Sequence, residues 1–510
     1  MDVRSYLPDT SLSSVEFSSF LGQFREKLDH IFNGRASQDE LSRKRGVPPF
    51  VMREIRSCNP LSVYIPEEYG GRGGHIHEGQ AVLAEASYQS LALSLTIGIN
   101  GALFLQPFTK YGKEEAKADV FQRFLAQDNM GGLMITEPDF GTDALNMETS
   151  YEETASGDYR IQGMKHWGGL TGWADFWLVA ARRKTKNGLG RDIDFFLCDM
   201  NDDSQRIEVE ELYENMGLYL IPYGRNRLDV TVPKSHHLQP ESTGIKMMLD
   251  MLHRSRTQFP GMGMGFLRRM VDEAMTHCKE RLVGGKSLFN YDQVKARLSR
   301  LQAAYTTCSA MCTYTSEHAD LDQNLAAQNV AANAIKAHVT DMMHDASQSL
   351  LQLTGAQGYQ MSHIAGRSLV DSRPFQIFEG SNDVLYQQIA DGVLKSMRRM
   401  KKKNLHDYLS SYELTERAAG YFEDALDFEV DQQMSQRKTK ELGEMLSRLI
   451  SMELTLELGD RGFRSDLIAD ALTVLQRDAE QLLSGYKSTD TAEPAEDYAE
   501  NSSWLDFVRC

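Results

Sequence analysis

One change of rhythm constrains the fold of this chain more than any other feature. Residues 10–130 carry apolar positions at helical spacing, as in Phe17, Phe20, Leu21 and Phe24 and again in Val82, Leu83 and Ala86. From about 131 to 235, short β-rich runs take over: Gly132-Leu133-Met134-Ile135, Tyr159-Arg160-Ile161-Gln162, Phe176 to Ala180, Asp194 to Leu197 and Arg227 to Val232. Turn signals such as Ser156-Gly157-Asp158 and Lys186-Asn187-Gly188 separate them. Helical periodicity returns from 241 to 395, where the runs 262–282, 292–320 and 325–353 suit a four-helix bundle. The order predicts a mainly α protein with a central β domain of sandwich or barrel type. The expected divisions are 1–130, 131–240, 241–396 and a charged helical extension over 397–510. Helical pattern in the extension runs over 405–486, and the polar, acidic stretch 487–503 is expected to be disordered.

At 510 residues, 41% of them hydrophobic, the chain has ample apolar material for several cores and an enclosed site. A formal net charge of −17 argues against general affinity for nucleic acid or anionic membrane. The six cysteines form no CxxC pair and no zinc-like spacing, and Cys308 and Cys312 share one helical face as small core residues. No apolar run is expected to reach 18 residues, so no transmembrane segment is expected. The start, Met1-Asp2-Val3-Arg4, lacks the features of a secretion or transit signal, which makes the cytoplasm the expected location. The glycine-rich stretch Ile65 to Gly74 has no βαβ surroundings and reads as a structural turn. Gly98, Gly101 and Ala102 either leave room beside a pocket helix or serve helix packing.

The most informative single residue is Glu379, in Gln376-Ile377-Phe378-Glu379-Gly380-Ser381-Asn382-Asp383. A lone carboxylate follows an apolar run and precedes a glycine that permits a sharp turn. Ser381 or Asn382 can cap the helix that begins there. Burial raises a carboxyl pKa and a helix N-terminus lowers it, so Glu379 is a candidate general base. On this segment alone, a surface Glu at a helix start fits equally well.

The order of helices, β domain and bundle resembles the acyl-CoA dehydrogenase family, and local motifs match along residues 50–396. Ile135-Thr136-Glu137-Pro138-Asp139-Phe140-Gly141-Thr142-Asp143 resembles the family's Thr-Glu-Pro-x-x-Gly-Ser-Asp flavin segment. Gly163-Met164-Lys165-His166-Trp167 is similar to its Gly-x-Lys-x-Trp strand. Glu280-Arg281 with Gly285-Lys286, Gln352 through Tyr359, and Asp371 eight residues before Glu379 match further motifs.

The resemblance implies an FAD-dependent α,β-dehydrogenation of an acyl thioester, carried by CoA or a carrier protein, within fatty acid metabolism. Glu379 would take the α-proton while hydride passes to flavin N5. Ile135, Thr136, Gly141, Thr142, Trp167 and Gly169 would meet the flavin. Arg281, Gln352, Gly355 and Gly358 would reach the FAD of a neighbouring subunit, and Ser381 and Asp383 would close the same site. Arg256 would stand beside the base. A homodimer or homotetramer, and an electron acceptor such as an electron-transfer flavoprotein, are implied as well.

Some members carry the Glu in the first bundle helix, where this chain has Arg254-Ser255-Arg256-Thr257 with no acid, which favours Glu379. There are departures. The family's hydroxyl after Trp is replaced by Gly168-Gly169, its Phe near Arg281 by Gly284, and its final Thr by Ser381. The extension is more like the longer members. Its cluster Arg398 to Lys403 reads as a solvated linker or a patch for an acidic partner or membrane surface. A flavin oxidase or monooxygenase, and a non-catalytic flavin-bound interaction protein, are the alternative readings.

Overall fold

The computed structural model describes residues 15–500 apart from 42–45, 47, 127–128, 432 and 489–491. The start Met1 to Arg4, Cys510 and part of the acidic tail therefore lie outside the described residues.

The first helices are α1 (Phe17–His30), α2 (Gln38–Leu41), α3 (Pro49–Arg56), α4 (Ile76–Gln89), α5 (Leu91–Gly98), α6 (Gln106–Tyr111) and α7 (Glu114–Ala126). α1 buries Phe20, Phe24 and Leu28, one stripe at helical spacing, and packs against α4. α5 continues through a wider π turn, Ile99–Leu105, into α6. This run, Leu91–Tyr111, has a mean hydropathy of 1.5 over its most apolar window, 94% of which is buried inside the protein. The expectation that no apolar run approaches membrane length is corrected here: the run is long and apolar enough, and it is a core helix. A Cβ on Gly101 would lie 2.4 Å from the Tyr64 ring, and one on Gly98 would lie 3.1 Å from Met262. Both glycines therefore serve packing. The stretch from Ile65 is a turn, since a Cβ on Gly71 would lie 2.1 Å from the Ile65 carbonyl oxygen.

The central sheet has strands β1 (Gly131–Met134), β2 (Ser150–Glu153), β3 (Tyr159–Gly169), β4 (Phe176–Thr185), β5 (Gly188–Leu189), β6 (Asp194–Asp199), β7 (Glu208–Leu212) and β8 (Tyr223–Val232). The order is β1-β4-β2-β3-β8-β7, with β5 and β6 also on β4. β4 pairs in parallel with β1 and β2, and the other ladders are antiparallel. The β3–β8 ladder slips register between His166 and Gly168, and this β-bulge puts Trp167 in the left-handed region at φ 58°.

The bundle follows: α8 (Gly244–Arg256), α9 (Phe259–Glu280), the hairpin β9 (Leu282–Val283) and β10 (Lys286–Ser287), α10 (Asp292–His318), α11 (Asn329–Thr354), α12 (Ile364–Ser372) and α13 (Asn382–Arg399). Cys308 lies fully buried on α10. The extension adds α14 (Leu405–Leu409), α15 (Glu423–Leu426), α16 (Gln436–Asp460) and α17 (Ser465–Lys487). α16 packs on α13, and both α16 and α17 pack on α10. The basic cluster spans the exposed end of α13 and the turn after it, where the ammonium of the half-buried Lys402 donates to the Asp407 carbonyl at 2.5 Å.

Candidate active site

α12 and the short turn Arg373–Gln376 deliver the chain to Glu379, which sits at φ 55°, followed by Gly380 at φ 93°. The left-handed region costs a non-glycine residue free energy, so the surroundings must hold it there. Two buried cations do so. Arg256 donates to the Glu379 carbonyl oxygen from Nε at 3.0 Å and from Nη2 at 2.7 Å. Lys336 donates to the Gly380 carbonyl at 2.9 Å and to Asn382 Oδ1 at 3.0 Å. Burial pulls the Arg256 guanidinium down to about 10 and the Lys336 ammonium to about 7.

The Glu379 side chain is held at one oxygen only. Oε1 accepts from the Ser255 hydroxyl at 2.9 Å, while Oε2 is buried with no hydrogen-bond partner. Burial raises the carboxyl pKa, and Ser255, Arg256 and Lys336 pull the other way. A carboxylate with one buried, unengaged oxygen is poised to accept a proton from a group brought against it.

The expectation that Ser381 or Asn382 caps α13 needs correction. Ser381 occupies the N-cap position but makes no side-chain cap bond. The Asn382 amide instead donates into α11, to the Ala337 carbonyl at 3.1 Å and Asp341 Oδ1 at 2.7 Å. Asp383 is exposed and lies 3.7 Å from Lys440 of the extension, so that is where its charge is paired.

A second set of residues gathers at the ends of β1 and β3. Lys165 is fully buried, and its ammonium donates to Glu137 Oε1 at 2.8 Å and to the Ile135 carbonyl at 2.9 Å. Glu137 also accepts the N–H groups of Glu148 at 2.6 Å and Thr149 at 3.0 Å. Burial drops the Lys165 pKa to about 8, and Lys165 with the neighbouring donors holds Glu137 below its ordinary value. Leaving either partner alone in the interior costs about 3–5 kcal/mol, so this pair locks the Thr136 loop against β3. The His166 N–H donates to the Thr136 carbonyl at 3.0 Å and completes the lock. Ile135 and Thr136 are left half-buried, and Gly141 and Thr142 exposed, with nothing within 4 Å of a Cβ placed on Gly141.

Trp167 is 52% exposed, its ring 4.6 Å from that of Tyr213 and 6.3 Å from that of Tyr223. Two residues on, a Cβ at Gly169 would lie 2.7 Å from Ile99 Cδ1 and 3.4 Å from the Tyr223 ring. The missing hydroxyl thus has a steric cause: Ile99, at the start of the π turn, occupies the space a larger residue would need. Tyr223 pairs with Gly169 across the ladder and feels the charge of Glu379, which together with burial raises its pKa. Through Tyr223 the Glu379 set and the Trp167 set converge. A second tie runs from Asp371, whose Oδ1 accepts the Leu218 N–H at 2.6 Å.

The remaining expected residues lie at bundle ends. Arg281 caps the C-terminus of α9, Gln352 sits in the last turn of α11, and Gly355 and Gly358 form the turn after it. Among the described residues, no hydrogen bond or ring contact joins them to Glu379 or Trp167. Gly355 has φ 65°, and a Cβ on Gly358 would lie 2.0 Å from the Thr354 hydroxyl oxygen. Glu137, Lys165, Tyr223, Ser255 and Lys336 belong to the site, yet sequence reasoning gave them no site role. The available signal for Lys336 was a charge on an otherwise apolar helical stripe with Ala332, Ile335 and Val339.

Family models match three segments: acyl-CoA dehydrogenase N-terminal domain over 22–128, middle domain over 132–230 and C-terminal domain over 242–394. The probable acyl-CoA dehydrogenase FadE10 of Mycobacterium tuberculosis is 26% identical over 388 residues, 73% of this chain and 58% of the relative. The chain thus spans under two thirds of the length of the first curated relatives it matches. The acyl-CoA dehydrogenase of Bacillus subtilis is 23% identical over 68% of this chain and 90% of its own. Among solved structures, an acyl-CoA dehydrogenase complexed with FAD from Bacillus anthracis superposes with a TM-score of 0.74 at 17% identity, covering 94% of this chain and 88% of its own. The butyryl-CoA dehydrogenase of Megasphaera elsdenii gives 0.65 at 21% identity, over 76% of this chain and all of its own.

Proposed function

This chain belongs to the acyl-CoA dehydrogenase family, and from that premise we propose that it is an FAD-dependent oxidoreductase of acyl thioesters with Glu379 as the base for the α-proton. The observation that carries the reading is the buried, unpartnered Glu379 Oε2 on a clamped left-handed turn. The other residues fit the cofactor. Thr136, Gly141 and Thr142 offer an open polar edge and Trp167 an exposed aromatic face beside it. When bound, FAD supplies the acceptor for the β-hydride.

The chain's own groups do the rest. Ser255 fixes one carboxylate oxygen, so the free oxygen has one orientation. Arg256 and Lys336 hold the backbone and moderate the rise in pKa, keeping the carboxyl ionised enough to accept a proton. An acyl chain seated against Glu379 excludes water, which strengthens the base further. A carrier-protein thioester, an electron-transfer flavoprotein as acceptor, assembly into homodimers or homotetramers and a cytoplasmic location belong to the same proposal. FAD-diphosphate contacts by Arg281, Gln352, Gly355 and Gly358 across subunits belong to it too.

The test is anaerobic bleaching of the purified yellow protein with acyl-CoAs of graded length. Glu379→Gln is expected to slow bleaching by about 10²–10⁴-fold, the usual range for loss of a general base. Ordinary bleaching by that variant would remove Glu379 from the role. Rapid hydrogen peroxide formation during turnover would instead point to an oxidase.

A further inference from the structure

The base loop is held from beneath by a part of the chain that lies beyond the family-matched segments. Asp341 on α11 is the hub. Its Oδ1 accepts from Gln376 Nε2 at 2.7 Å and from Asn382 Nδ2 at 2.7 Å, and its Oδ2 accepts the Tyr386 hydroxyl at 2.5 Å. Gln376 and Asn382 bracket Glu379 on either side along the chain. Asn382 Oδ1 in turn accepts from Lys336, the same ammonium that binds the Gly380 carbonyl.

The cation facing Asp341 comes from the extension. Arg448 of α16, its side chain 10% exposed, places Nη2 3.7 Å from Asp341 Oδ2 and donates from Nη1 to the Tyr386 hydroxyl at 3.3 Å. Among the described residues it is the cation within ion-pair reach of Asp341. α16 comes this close because of Gly443, where a Cβ would lie 1.8 Å from the Tyr386 carbonyl oxygen. No other residue allows that approach, so the docking of α16 is built into the sequence at a second, independent position.

We infer that Arg448 is a positioning residue for Glu379, acting through Asp341 and Tyr386, and that the C-terminal extension is thereby a working part of the active site. A half-buried carboxylate that must offer three acceptor positions in fixed directions needs a fixed counter-charge beside it. Without Arg448, the Asp341 carboxylate loses the cation that fixes its orientation, and Gln376 and Asn382 lose their shared anchor. The left-handed Glu379 turn between them then samples other conformations. The inference rests on the reading of Glu379 as base.

The test uses the full-length, flavin-loaded protein and four variants: Arg448→Met, Arg448→Lys, Tyr386→Phe and Arg461→Ala. Arg461 pairs with Glu317 and ties the same extension to α10 away from the network, so it controls for general loosening. Two quantities are read: backbone hydrogen exchange over residues 374–383, and the rate constant of anaerobic flavin reduction with its dependence on acyl-CoA concentration. For Arg448→Met, exchange is expected to rise about fivefold and the limiting rate to fall about tenfold, with the half-saturating concentration unchanged. Arg448→Lys recovers most of both, Tyr386→Phe shows a smaller version, and Arg461→Ala changes neither. Unaltered exchange and limiting rate in Arg448→Met, or equal losses in Arg461→Ala, overturn the inference. Should Arg448→Met fail to fold, Tyr386→Phe decides by the same two readouts. Full flavin reduction by Glu379→Gln sinks the base assignment alone, because the exchange coupling does not depend on it.

Discussion

The two halves of the site are built on opposite principles. The Glu379 turn is held by charge: Arg256 and Lys336 bind its carbonyls, and Asp341 anchors both flanks. The end of β3 is held by shape: a bulge extrudes Trp167, and Ile99 and Tyr223 close the space at Gly169. On the roles proposed above, the difference follows from what each would do. A base needs a fixed carboxylate and a tuned pKa, which buried charges provide at a cost in desolvation. A face offered to a planar ring, the role proposed for Trp167, needs an accessible aromatic surface and a shallow backbone, which the packing around Gly169 provides. The buried charge on that side, Lys165 with Glu137, locks the neighbouring Thr136 loop.

If charge holds the first half, removing it should move both geometry and titration. In Lys336→Met the limiting rate of flavin reduction should fall about tenfold, since a misplaced catalytic group is costly well before it is lost. The pH dependence has a definite sign. Lys336 pulls the Glu379 carboxyl down, so without it the carboxyl stays protonated to higher pH and the rise in rate moves to higher pH. An acid limb that stays put or moves down would show that the ammonium does not tune the base.

If shape holds the second half, filling Gly169 should hurt through packing and leave the titration alone. Gly169→Thr drives a Cβ to 2.7 Å from Ile99 and is expected to cost about 1–3 kcal/mol in chemical denaturation. Adding Ile99→Ala in the same chain should return part of that loss. Failure of the pair to compensate would place the clash elsewhere.

The smallest effect concerns the tie between the halves. Burial raises the Asp371 carboxyl from 3.8 to about 6. A carboxyl raised in the folded state lends full stability below 3.8 and loses it as pH rises through about 6. Asp371→Asn keeps an oxygen for the Leu218 N–H and removes the buried charge. It should therefore stabilise the protein by about 1–2 kcal/mol near neutral pH, and the gain should vanish in melts run below about pH 4. A stabilisation that is the same at both pH values would exclude the charge as its source.

The turn at Glu379 was legible because its signals are adjacent, an apolar run, a carboxylate and Gly380, whereas the burial of its carboxylate was not, since a surface Glu at a helix start fits the same segment. The strands and long bundle helices were legible for the same local reason, period 2 giving way to period 3.6. The Ser381 cap was misread because a distant helix, α11, recruits Asn382 and leaves Ser381 without a cap bond. The Leu91–Tyr111 run was misjudged against membrane length, and composition cannot separate a core helix from a spanning one, since only 94% burial inside the protein does so.

By itself, then, the sequence determined the order of elements, the turn that presents Glu379 and the segments that belong to the family. Those properties depend on neighbours along the chain. Tertiary structure alone decided which oxygen of Glu379 is free, why Gly169 has no room for a hydroxyl-bearing residue, and that Arg448 stands under the base loop. These depend on groups from separate helices meeting in a low-dielectric interior, where a charge or a methyl group is either matched by its neighbours or excluded.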